Sequence, residues 1–115
     1  MRSRLLVVTT LAALIATTTH AVHAETIDLV AVPSTFTPSE IVLHAGQTTV
    51  LHFSHTEGVH AIASADLGIA NTIIAPGKDT DVTVTPKKVG TYVIHCLVIC
   101  GSDHEKMALT IRVDA

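Results

Sequence analysis

The chain has 115 residues, 48% hydrophobic and 3% aromatic, with seven Lys/Arg against ten Asp/Glu and a formal net charge of −3. An acidic balance of this kind argues against nucleic acid as a partner, since its binders carry basic faces. The length allows one modest core.

The first element is a leader. Met1-Arg2-Ser3-Arg4 is basic, residues 5–16 are mostly apolar, and Ala21-Val22-His23-Ala24 is a small-residue cleavage site. This is the layout of a secretory signal peptide over 1–24, cut after Ala24. The apolar run is shorter than the roughly 20 residues of a membrane-crossing helix. An uncleaved anchor is the alternative reading of the same residues, and no lipidation cysteine sits at the junction. Export implies a periplasmic or secreted protein with no membrane span after cleavage. The mature domain, 25–115, keeps five Lys/Arg and ten Asp/Glu, a net charge of −5.

The rest of the chain alternates apolar and polar residues with period two between Gly and Pro breaks, which predicts strands. They fall at 26–32, 40–44, 48–53, 59–64, 80–85, 90–96 and 107–113. Turns are marked by Pro33, Pro38, Ala45-Gly46, Glu57-Gly58, Ala75-Pro76-Gly77 and Pro86. Residues 66–72 read as irregular, with Gly68 among them. No helix of a dozen residues is visible after the leader. About seven short strands in some ninety residues predict an all-β fold, an antiparallel sandwich.

Alternation also aims side chains. Tyr92, Ile94 and Cys96 share one face of their strand, and Met107, Leu109, Ile111 and Val113 share one face of the next. Both faces are apolar and should meet the core. Cys96 then ends one strand on the core side, Met107 begins the next, and the loop between them carries Cys100 and His104. Four donors are brought to one pole of the sandwich. His60 lies well upstream in strand-like sequence.

Three readings compete for Cys96 and Cys100. In an oxidising compartment two cysteines ordinarily pair. A disulfide over three intervening residues, however, closes a small loop and restrains the unfolded chain little, and it leaves His104 and Met107 without a role. Zinc favours Cys and His and rarely takes a thioether. Copper accepts thiolate, imidazole and thioether together, and is the reading preferred here.

Cys96-x3-Cys100-x3-His104-x2-Met107, with Gly101 after the second cysteine, resembles the ligand loop of the binuclear CuA site. That site is found in subunit II of haem-copper oxidases and in nitrous oxide reductase. Glu57-Gly58-Val59-His60-Ala61-Ile62, continuing to Asp66-Leu67-Gly68-Ile69, resembles the family's first-histidine strand and the turn after it. The similarity covers residues 52–113. It implies a cupredoxin-like Greek-key sandwich and two copper ions bridged by the thiolates of Cys96 and Cys100. It implies that His60 and His104 each cap one ion, that Met107 is a weak axial ligand, and that the Val98 backbone carbonyl is the weak ligand on the other. The family loop usually carries an acidic residue where this chain has Val98. The chain also has no tryptophan, and so lacks the aromatic electron-entry route of the oxidases. It lacks the membrane hairpin of an oxidase subunit too, so the expectation is a free-standing exported domain.

His44, His52, His55 and His95 lie off the motif and read as surface or hydrogen-bonded side chains. His95 alternates with Cys96 and so faces away from it, while the His55 loop precedes His60. Ser54 and His55 have no accompanying nucleophile elbow or acid that would make a hydrolase. Asp103 and Glu105 flank His104 and read as solvated or as acceptors that orient it. The sequence thus predicts an electron carrier, not an enzyme, serving a redox partner protein, with a copper chaperone as a further implied partner. The alternatives are a mononuclear copper cupredoxin, a periplasmic copper-delivery or storage protein, and a metal-free, disulfide-bonded binding module.

Overall fold

The computed structural model describes residues 10–17, 24–98 and 106–115. Among these, nine strands make up the regular structure: β1 (Glu25–Val32), β2 (Thr35–Thr37), β3 (Glu40–His44), β4 (Thr49–Phe53), β5 (His60–Ser64), β6 (Ile69–Ile74), β7 (Thr80–Val84), β8 (Gly90–His95) and β9 (Ala108–Asp114). They form a four-stranded sheet in the order β2-β1-β4-β7, a three-stranded sheet β3-β9-β8 and a two-stranded ribbon β5-β6. Leu29, Ala31, Leu51, Phe53, Val82 and Val84 line the inner face of the first sheet. Ile41, Leu43, Ile94, Leu109, Ile111 and Val113 line that of the second, and all are buried. The all-β sandwich expected from the alternation is the fold observed.

The strands expected at 26–32, 40–44, 48–53, 59–64, 80–85, 90–96 and 107–113 correspond to seven of the nine, with ends shifted by a residue or less. Two strands are additional. β2 is three residues long between Pro33 and Pro38, with buried Phe36 between exposed Thr35 and Thr37. β6 lies partly where irregular chain was expected. It buries only Ile69 and Ile74 at its ends, so its sequence carries no period-two signal, and pairing with β5 across a register shift between Ile62 and Ser64 defines it.

The expected antiparallel arrangement holds in four of the six strand pairings among the described residues and is corrected in two. β1 pairs with β4 and β3 with β9 in parallel. Alternation reports which face a residue takes, and that is the same whichever way the neighbouring strand runs.

Candidate metal centre

Three backbone features assemble one pole of the sandwich. β8 and β9 form an antiparallel hairpin from Gly90↔Val113 to His95↔Ala108, and Cys96 N–H extends it by donating to the Met107 carbonyl at 3.2 Å. The next residue, Leu97, donates its N–H to the Ala61 carbonyl at 2.9 Å, tying the end of this hairpin to β5. His60 is the first residue of β5. The expected facing holds throughout: Ile94, Cys96, Met107, Leu109, Ile111 and Val113 are buried, and His95 and Val93 are exposed.

Cys96 carries a free, buried thiol. Its Sγ stands 3.8 Å from His60 Nδ1 and 3.4 Å from the Val98 carbonyl oxygen. His60 is wholly buried (0% exposed), its ring tilted against Phe36 with centroids 6.4 Å apart. Its other nitrogen, Nε2, lies 2.7 Å from the Glu57 carbonyl. Met107 is also fully buried at the hairpin mouth.

Of the six positions singled out in the sequence, His60, Cys96, Val98 and Met107 are thus placed at or beside one pole. Cys100 and His104 lie outside the described residues. Among the described residues no group of three or more His, Cys, Asp or Glu side chains is arranged to hold a metal. The described donors are one thiol, one imidazole, one carbonyl and one thioether.

The donor spacing suits a metal. With a metal–sulfur bond of about 2.3 Å and a metal–nitrogen bond of about 2.0–2.1 Å, as at zinc, two donors on one ion at tetrahedral to trigonal angles stand roughly 3.5–3.8 Å apart. The Cys96–His60 separation of 3.8 Å falls in that range. A thiol beside an imidazole belongs to the soft donor set that suits copper.

The remaining histidines lie elsewhere. His55 is exposed, with Nδ1 3.1 Å from Ser54 Oγ. His44 and His95 are exposed on β3 and β8. His52 is on the outer face of the four-stranded sheet, where its ring is hydrogen-bonded to Asp81 and Nε2 is 3.3 Å from Asp79. The Asp81 hydrogen bond raises its pKa above the ordinary histidine value. Partial burial opposes that, and the charges of Asp81, Asp79 and Asp28 add to it. The Glu57 carbonyl, the partner of His60 Nε2, is not legible in the sequence. Its only trace in the sequence is the Glu57-Gly58 turn, because a backbone acceptor has no residue type of its own.

The cupredoxin-like domain family model matches residues 5–110. The chain belongs to the cupredoxin-like domain family. No curated protein matches it. Among solved structures, this cupredoxin-like chain is similar to a haem-copper terminal oxidase solved as a dimer, at 22% identity and a TM-score of 0.67, covering 78% of this chain and 65% of that one. It is similar to the periplasmic domain of subunit II of cytochrome oxidase from Bradyrhizobium japonicum, at 25% identity and a TM-score of 0.56, covering 65% of this chain and 54% of that one. It is also similar to auracyanin from Roseiflexus castenholzii, at 21% identity and a TM-score of 0.60, covering 80% of this chain and 98% of that one. The cupredoxin-like chain therefore spans less than two thirds of the two oxidase chains and nearly the whole of the auracyanin.

Proposed function

We propose that this cupredoxin-like chain is an exported copper protein that carries electrons through a CuA-type dinuclear centre. The observation that carries the reading is the buried Cys96–His60 pair, 3.8 Å apart, at the root of the segment Cys96-x3-Cys100-x3-His104-x2-Met107. In this reading Cys96 and Cys100 would hold copper through their thiolates, His60 and His104 through one imidazole each, and Met107 and Val98 as a weak thioether and a weak carbonyl donor. Such a centre, when bound, supplies a one-electron couple shared over two ions.

The chain's own part is to hold the donors still in both redox states. The buried His60 ring is restrained by its contact with Phe36 and its hydrogen bond to the Glu57 carbonyl. Cys96 is fixed by its backbone bond to Met107, and the bond from Leu97 to Ala61 holds the adjoining peptide on β5. A pole that does not rearrange on electron gain or loss favours fast transfer.

Residues 1–24 serve in this reading as a signal peptide and 25–115 as the mature periplasmic or secreted domain; among the described residues no helix is long and apolar enough to cross a membrane. The partner is a redox protein. Leu97 and Ile73, each more than half exposed on either side of β5, give it an apolar surface beside the strand that carries His60. Subunit II of a cytochrome oxidase is similar to this chain at 17% identity in a mixed disulfide with a thioredoxin-like protein. A thiol reductant or a copper chaperone is the corresponding maturation partner here.

The auracyanins favour a second reading, a mononuclear site. The one from Chloroflexus aurantiacus is described as a blue copper protein, and this chain covers all of it at 16% identity. The reading would use His60, Cys100, His104 and Met107 and leave Cys96 idle. Copper analysis of the exported protein, whose intact mass should begin at Glu25, separates the two. Two coppers per chain support the dinuclear centre. One copper with a single strong thiolate absorption supports the mononuclear one.

A further inference from the structure

We propose that Gly58 is a positioning residue for the metal centre: its left-handed backbone aims the Glu57 carbonyl at the His60 ring, and so leaves Nδ1 as the donor beside Cys96. The inference rests on the reading of His60 as a ligand.

His60 Nε2 lies 2.7 Å from the Glu57 carbonyl oxygen. A carbonyl only accepts, so Nε2 must carry the proton. In the neutral ring Nδ1 then holds the lone pair, on the edge that faces Cys96 Sγ. A histidine with the opposite tautomer would present an N–H to the thiol and could not bind a metal there without rearranging. The Glu57 carbonyl is thus what selects the useful nitrogen, in the way that outer partners orient metal-binding imidazoles generally.

The carbonyl owes its direction to the next residue. It belongs to the peptide plane that ends at the Gly58 nitrogen, and rotation about the Gly58 N–Cα bond turns that plane against the chain leading to His60. Gly58 has φ +75°, a value open to glycine, adopted at some cost by asparagine, and foreign to β-branched residues. The upstream side of the plane is fixed as well. Glu57 N–H donates to the Ala31 carbonyl at 2.9 Å and Ser54 N–H to the Leu29 carbonyl at 3.0 Å, so the turn is fastened to β1. With that side held, changing φ at residue 58 must move the carbonyl relative to the ring. Space for a first side-chain carbon is not the constraint: a Cβ at this position would meet His60 Nε2 at 3.6 Å and Pro33 Cγ at 3.9 Å, ordinary contacts. The requirement for glycine is conformational.

The test compares Gly58→Val, which disfavours positive φ, with Gly58→Asn, which tolerates it at similar bulk. Gly58→Ala serves in place of valine if the valine variant does not fold. Ring nitrogen shifts of His60 are read by long-range proton–nitrogen correlation in the copper-free, reduced protein, and copper affinity is read by competition titration. Wild type and Gly58→Asn should show a protonated Nε2 and a bare Nδ1. Gly58→Val or Gly58→Ala should lose that single tautomer and bind copper on the order of 10- to 100-fold more weakly. A wild-type ring protonated at Nδ1 would overturn the inference. So would an unchanged tautomer in the valine and alanine variants, or an asparagine variant as impaired as valine. The tautomer is measured without copper, so a protein that binds no copper contradicts the proposed function separately from the role of Gly58.

Discussion

Cys96 meets the imidazole of His60 through its side chain, and Met107 through its backbone. If its thiolate bridges two ions, Cys96→Ser should abolish the dinuclear signal and Cys100→Ser should do the same, since each removes a bridge. Met107→Leu should retain copper and chiefly shift the reduction potential, because axial thioethers are long, tuning ligands. Loss of copper in Met107→Leu with retention in Cys96→Ser would reverse these roles. A second residue-scale expectation concerns His52, held between Asp81 and Asp79 with Asp28 nearby. Its folded-state pKa is raised, so the protonated ring stabilises the fold. That contribution is complete below the unfolded-state value of about 6.5 and fades as pH rises through the higher folded-state value. The melting temperature of wild type should therefore exceed that of His52→Gln near pH 6, with the gap closing in alkali. A gap that widens with pH would contradict the ion pairing. Cys96 and Met107 could be oriented from sequence because alternating apolar neighbours fix their face. The environment of His52 could not, since Asp81 reaches it only through β4–β7 register.

At the scale of elements, the β8–β9 hairpin is the frame of the site. Ile94 and Leu109 are opposed across it and buried, and they underlie the pole that Cys96 and Met107 close. Leu109→Ala should cost about 2–5 kcal/mol of stability, the usual range for a buried leucine truncated to alanine, as read by denaturant unfolding. A cost below about 0.5 kcal/mol, the range of unremarkable surface changes, would show that the hairpin face is not packed as described. This hairpin was legible because both strands bury every second residue. β6 was not, because Ala70, Asn71 and Ile73 are all exposed and only the pairing with β5 makes it a strand. The parallel pairings of β1 with β4 and of β3 with β9 were hidden for a different reason: strand direction leaves no mark on facial alternation.

For the molecule as a whole, the sandwich and its membership in the cupredoxin-like family agree with the strand pattern, while half of the donor loop, Cys100 and His104, lies outside the described residues. The compartment makes this half consequential. Under the proposed export, two thiols four positions apart in the sequence would face an oxidising compartment, and a Cys96–Cys100 disulfide would withdraw both bridges at once. Oxidised copper-free protein should therefore take up little copper until reduced, and loading should raise the melting temperature because the ligands are gathered only in the native state. Equal uptake before and after reduction would argue for a structural disulfide instead. Whether two coppers share one unpaired electron is read most directly by electron paramagnetic resonance of the loaded, oxidised protein together with its copper content. A dinuclear centre gives two coppers per chain and a seven-line hyperfine pattern, the signature of one unpaired electron spread equally over two copper nuclei. A four-line pattern at one copper per chain would contradict it.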